Sequence, residues 1–261
     1  MTTDLAVAPP AGALSFIASP TPQLRATLAQ YELMLASTDF ADLLGNIRSA
    51  FGKYTAKLLE FPPGIERGKA LHEMMDKELK AAAPLPISCR EGCSGCCHYE
   101  VEITRDEAEI LKKLVQEGFP IDRDRLEKQA SRERMSTEWG RFWSPTNRCV
   151  FLGENGGCGI YEDRPAICRK HLVTNPANAC TTRGGAVAPV QVLMAEILLS
   201  AATSLDGAAY ASLSKMLRAA LQSDDAAPPM QPDLADGYFS AAVTASISRV
   251  PEMRTDASGS E

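Results

Sequence analysis

The chain has 261 residues, 45% of them hydrophobic and 23% charged, with 27 Lys and Arg against 33 Asp and Glu for a net charge of −6. That length suits one large domain or two modest ones, and a negative balance with no basic face excludes a general nucleic-acid binder. No apolar run approaches the roughly 18–20 residues of a bilayer span. The start lacks the basic region of a secretory signal, so the expectation is a reducing cytoplasm, where disulfides are rare.

Residues 1–20 read as a disordered Ala/Pro tail, and 21–85 as an N-terminal helical segment. From Pro22 to Thr38, Leu24, Leu28, Tyr31 and Leu35 recur at helical spacing. Asp39 is the expected N-cap of a second helix with Phe40, Leu44, Ile47, Phe51, Tyr54 and Leu58 on one face. Pro62-Pro63-Gly64 breaks it, and Leu71, Met75 and Leu79 mark a third helix, with His72 partly buried or on its surface.

Residues 86–185 form the expected cysteine-cluster domain. Thr104 and Glu107 make a capping box for a helix carrying Ile110, Leu111, Leu114 and Val115, closed by Gly118 and Pro120. Residues 122–143 read as a charged helix anchored by Leu126, Trp139 and Phe142, with Arg132 and Arg134 on a solvated face. Cys149 to Leu152 could form a brief strand, and Asp163 could cap a short helix entered through Arg164-Pro165. C-terminal helices over 186–222 follow, one from Pro189 to about Ser200 and one carrying Leu213, Leu217 and Leu221. A linker, a short helix from Asp233 to Ser248 and a tail complete 223–261. The predicted class is all-α: a helical bundle with a loop-rich, cysteine-ligated metal centre.

All eight cysteines fall between Cys89 and Cys180. Cys89-x3-Cys93-x2-Cys96-Cys97 places four thiols in nine residues, followed by Cys149, Cys158, Cys168 and Cys180. Thiolates prefer zinc, copper(I) and iron–sulfur clusters, and cysteine patterns inside the cell point to metal or catalysis rather than to four disulfides. An ordinary zinc finger uses well-separated paired half-sites. Three close cysteines with a remote fourth are the general arrangement for a [4Fe–4S] cluster. Cys89, Cys93, Cys96 and a distal cysteine, Cys168 first, are therefore the expected ligands of one centre.

Cys97, adjacent to Cys96, should point elsewhere and bind a second metal, bind another iron of a cluster, or stay free. Cys149 and Cys158 bracket a Gly-rich turn that folds them together. Arg164, Arg169 and Lys170 bring positive charge to the thiolates, and Arg164 and Arg169 are the candidate cofactor contacts. Arg164 could hydrogen-bond sulfur or pair with Glu162 or Asp163. Ile160 and Tyr161 anchor the loop. His98 and His171 could each replace a thiol, though a hydrogen-bonding neighbour is the simpler role.

These residues carry a resemblance. The first cysteine group, then Cys149-Val-Phe-Leu, Gly157-Cys158-Gly-Ile-Tyr-Glu-Asp-Arg-Pro165 and Cys168-Arg169 resemble the YkgJ-type cysteine-cluster family, described as a zinc- or iron-chelating domain. The resemblance spans about residues 86–182, and the same signature occurs in flagellin lysine N-methylases, where it resembles an iron–sulfur-binding element. It implies a metal site, an iron–sulfur cluster first, and does not by itself imply methyl transfer. No strand leads through a Gly-rich turn into a helix as in a classical methyltransferase. The radical S-adenosylmethionine spacing is nominally met by Cys89, Cys93 and Cys96, but no alternating strand–helix pattern follows.

The expected function is an iron–sulfur protein in a redox reaction, or one that modifies a protein or small molecule. The alternative is a zinc-binding structural or metal-handling module. A minor third reading is a thiol redox sensor built on Cys96 and Cys97.

Overall fold

The apolar stripes read from the sequence become eight α-helices among the described residues, which in this computed structural model are 14–81, 85–139, 144–182, 187–205 and 210–223. These all fall within one compact unit. The expected linker from residue 224, the Asp233–Ser248 helix, Phe142 and most of the N-terminal tail lie outside the described residues.

Helix α1 (Pro22–Met34) starts at Thr21, whose hydroxyl accepts the Leu24 N–H, and it buries Leu24 and Leu28. Tyr31 and Leu35, read as part of that stripe, are about one-third exposed, at 37% and 36%. Helix α2 (Ser37–Leu59) begins two residues before Asp39, which lies in the first turn instead of capping it. There its charge favours the positive end of the helix dipole. Helix α3 (Ile65–Ala81) follows Gly64, whose φ of +102° suits a residue without Cβ.

Helices α4 (Arg105–Gln116), α5 (Arg123–Ala130), α6 (Ala166–Lys170), α7 (Leu193–Leu205) and α8 (Leu213–Gln222) complete the set. The Thr104–Glu107 capping box is present on α4. The long charged helix expected over 122–143 ends at Ala130. Beyond it no apolar stripe repeats, and Met135 takes a φ of +54° that no α-helix accommodates. Arg132 pairs with Glu138 and lies over the Trp139 ring, and Arg134 pairs with Glu102. Both arginines are thus occupied within the chain.

Two clusters of buried side chains organise these helices. The first joins α1, α2, α3 and α7 through Leu24, Leu28, Ile47, Leu58, Met75 and Leu198, with Ala166 of α6 at its edge. The second joins α4, α5 and α8 through Leu111, Leu126 and Leu217, with Val150, Phe151 and Ile160 of the cysteine loops. Full burial of each large aliphatic side chain contributes roughly 1.5–3 kcal/mol. A two-stranded antiparallel ladder, β1 (Glu102–Ile103) with β2 (Ala211–Ser212), fastens the entry of α4 to the entry of α8. Pairings of distant two-residue segments carry no periodic signal, which is why only helices were legible there. Among the described residues no helix is long and apolar enough to cross a membrane.

Candidate metal centre

The first cysteine group lies in an irregular loop that ends in a 3-10 turn, Gly95–His98. Consecutive side chains in such a turn diverge by about 120° rather than the 180° of a strand, so adjacency does not send Cys96 and Cys97 to opposite sides. Both line one cavity of about 370 Å³ together with Cys93, Cys149, Cys158 and Cys168. Gly95 is required by proximity: a Cβ there would stand 2.7 Å from the Cβ of Cys180 and 3.2 Å from its backbone. Cys180 sits in a second 3-10 turn, Ala177–Thr181, and is buried.

The distal thiols are placed by two devices. The Gly153–Gly157 segment closes a tight loop, with Gly153 N–H on Gly157 O at 2.9 Å and Gly159 N–H on Phe151 O at 2.9 Å. This brings Cys158 opposite Leu152 as an isolated bridge rather than the brief strand considered for 149–152. The Cys149 N–H donates to Cys97 O at 2.8 Å, which joins the proximal and distal groups through the backbone.

Cys168 is carried by α6, whose N-cap is Pro165. Asp163 does not cap this helix. Instead Ala166 N–H donates to the Glu107 carboxylate at 2.7 Å. Proline supplies no side-chain acceptor, so the cap comes from α4. Glu107 also accepts from Thr104 and meets His72 Nε2 at 3.2 Å, which accounts for the burial of His72 at 6% exposure. Burial acts to raise the Glu107 carboxyl. The His72 hydrogen bond and charge, with the two backbone N–H groups, outweigh it and hold it below its ordinary value.

The remaining thiol lies against the chain just past α6. The Val173 N–H donates to Cys89 Sγ at 3.3 Å, and that thiol reaches His171 O at 3.6 Å. Cys89 and Cys180 do not line the main cavity.

All eight cysteines are free thiols. Burial pushes Cys149 up to about 11, raises Cys89, Cys158 and Cys180, and lifts Cys168 well above its ordinary value. Cys96 departs from this pattern. The Cys97 thiol donates a hydrogen bond to it, opposing burial, and with its own backbone N–H and the Arg164 charge brings it to about 7. The same bond, with burial, raises Cys97.

Of the candidate cofactor contacts, Arg164 lines the cavity and stacks over Tyr161 at 4.0 Å, and its Nε is buried without a hydrogen-bond partner. Its pairing with Glu162 or Asp163 is absent among the ion pairs of the described residues. Arg169 is spent elsewhere: on Arg164 O at 2.8 Å, Glu162 O and Asp76 at 2.7 Å. It shapes the turn that presents Arg164 and Cys168. Lys170 lines the cavity and forms a buried ion pair with Glu196 at 2.5 Å. Ile160 is buried as expected.

His98 Nδ1 lies 3.3 Å from Ser94 O, the neighbourly role expected of it. His171 Nε2 is buried without a partner. Burial first, then the Lys170 charge, holds this imidazole below its ordinary value.

Among the described residues no group of three or more His, Cys, Asp or Glu is arranged to hold a metal ion as the side chains stand. The donor chemistry nonetheless fits a soft metal centre. Six thiols face one cavity, and two buried nitrogens beside them, Arg164 Nε and His171 Nε2, have no protein partner. Buried polar atoms in folded proteins are otherwise almost always satisfied. Sequence reasoning missed the contacts of Glu107 with Ala166 and His72 and of Lys170 with Glu196, whose partners are distant in the chain.

Residues 88–183 match the family model CxxCxxCC, whose description is "Putative zinc- or iron-chelating domain". That segment is similar to the cysteine-cluster domain that the model describes. No curated protein and no solved structure matches the chain.

Proposed function

We propose that this protein binds an iron–sulfur cluster through its cavity-lining thiols and uses it in a redox reaction or in the modification of a protein or small molecule. The observation that carries this reading is the convergence of Cys93, Cys96, Cys97, Cys149, Cys158 and Cys168 on one cavity of about 370 Å³. Metal binding is what the family description names, and the number of sulfur donors favours a cluster over a single ion.

Cys93, Cys96 and Cys168 would hold the cluster, with Cys89 brought in from the cavity edge by rotation of its side chain. The cluster, when bound, supplies electron transfer or an open iron that takes substrate. The chain supplies the surroundings. Arg164 offsets thiolate charge, Phe151, Ile160 and Leu213 exclude water, and the Lys170–Glu196 pair holds a cation near the sulfurs without leaving it unpaired. Eight free thiols suit a reducing compartment such as the cytoplasm. A net charge of −6 favours a protein or small-molecule substrate over nucleic acid.

The test is anaerobic purification, with iron, zinc and acid-labile sulfide counted per chain and the visible spectrum recorded. Iron and sulfide in equal amounts, with broad absorption near roughly 400 nm, support the cluster. Zinc without sulfide replaces this reading with the structural or metal-handling one.

A further inference from the structure

Three histidines are available to the chain, and the structure distributes them unequally. His72 is bound to Glu107 at 3.2 Å, and His98 is turned to Ser94 O at 3.3 Å. His171 alone lines the thiol cavity, and its Nε2 is buried with no hydrogen-bond partner.

A histidine that merely fills a core normally satisfies its ring nitrogens, because an unpaired buried polar atom loses its hydration with no return. Here the residue is also fixed in place on several sides. Cys89 Sγ reaches its carbonyl at 3.6 Å, and Val173 N–H, two residues on, donates back to the same sulfur at 3.3 Å. Ser88 N–H donates to Val173 O at 2.9 Å, and Val190 N–H donates to Leu172 O at 2.8 Å. The Tyr99 ring meets the imidazole edge to face, with centroids 6.4 Å apart. Backbone and aromatic contacts thus hold the ring at the wall of a cavity that six thiols also line.

We infer that His171 is a nitrogen ligand of the metal held by this cysteine cluster, so that the centre has a mixed sulfur and imidazole shell. The inference rests on the metal-site reading above. Imidazole suits both zinc and iron, and its lone pair at Nε2 would gain the partner it lacks within the protein. The neighbouring orphan, Arg164 Nε, is an N–H donor that cannot ligate a cation, so it belongs with the sulfurs or an anion.

Zinc tests the shell without redox chemistry. The full chain is loaded with zinc under reducing, anaerobic conditions, and X-ray absorption at zinc is recorded for the wild type, His171→Ala and His98→Ala. The wild type and His98→Ala should show imidazole scattering near about 2.0 Å beside sulfur near about 2.3 Å. His171→Ala should keep sulfur and lose the imidazole signal, and competition with a chromophoric chelator should show zinc held at least about ten-fold more weakly. A sulfur-only shell in the wild type, or imidazole scattering that survives in His171→Ala, overturns the inference. If His171→Ala does not fold, a sulfur-only shell in the wild type, or imidazole scattering lost in His98→Ala, still overturns the inference, and imidazole scattering kept in both supports it. A chain that takes up no zinc, iron or sulfide at all brings down the metal-site reading itself, whereas a sulfur-only shell removes His171 and leaves that reading intact.

Discussion

The carboxylate of Glu107 accepts the backbone N–H of Ala166 at 2.7 Å, and so closes the N-terminus of the helix that carries Cys168 from 59 residues away in sequence. The same carboxylate completes the capping box of α4 and binds His72 of α3. One buried side chain therefore fixes three helices around a single thiol.

Replacing Glu107 with Ala leaves His72 and two backbone N–H groups unpaired in the interior. The expected loss is about 3 kcal/mol, or roughly 10 °C in melting temperature for a chain of this size. Thermal unfolding by circular dichroism measures it, and a shift under about 2 °C would show that the network contributes little.

The pH dependence has a definite sign. Glu107 is held below its ordinary value in the folded chain, so its stabilisation is complete above the unfolded carboxyl pKa and disappears as pH falls through the lower folded value. Urea midpoints of the metal-free wild type should fall on acidification below about pH 4.5, and Glu107→Gln should flatten that fall. Parallel curves for the two proteins would contradict the assignment.

In the metal-free chain Cys96 should alkylate at lower pH than the buried Cys149 and Cys168. Its value near 7 rests chiefly on the hydrogen bond from Cys97. Iodoacetamide labelling mapped by mass spectrometry should reach half-maximum at Cys96 near pH 7, and Cys97→Ala should move that midpoint upward. Labelling led by Cys149 or Cys168, which burial keeps protonated, would reverse the order argued here.

Two substitutions test the cluster's construction. Cys93→Ala should abolish metal loading, because it removes a cavity thiol from the first group. Gly95→Ala leaves every thiol in place but sets a methyl against the Cys180 backbone. It should destabilise the chain by about 1–3 kcal/mol and reduce metal per chain, both measurable on one preparation. Full loading of Cys93→Ala would remove the first group from the site.

What was legible in the sequence was local. The Thr104–Glu107 box, the glycine-closed loop between Cys149 and Cys158 and the α2 stripe from Ile47 to Leu58 each depend on residues a few positions apart. What depends on distant partners was less legible. Asp163 has the right chemistry for a cap, but Pro165 and Glu107 decide that end of the helix. Arg169 looked like a cofactor contact because it follows a cysteine, yet its partners are Asp76 and two carbonyls of a turn. The charged stretch after Ala130 buries Trp139 alone among its described residues, and a single apolar anchor does not sustain a helix.

The β1–β2 ladder and the second buried cluster bind α8 to Phe151 and Ile160, and α6 lends Ala166 to the first. A fragment cut to residues 88–183 would therefore bare the undersides of its own cysteine loops to water. Such faces invite self-association, and the excised piece should precipitate or scavenge metal indiscriminately. The helices on either side act as a collar over what would otherwise be a sticky, thiol-rich strip.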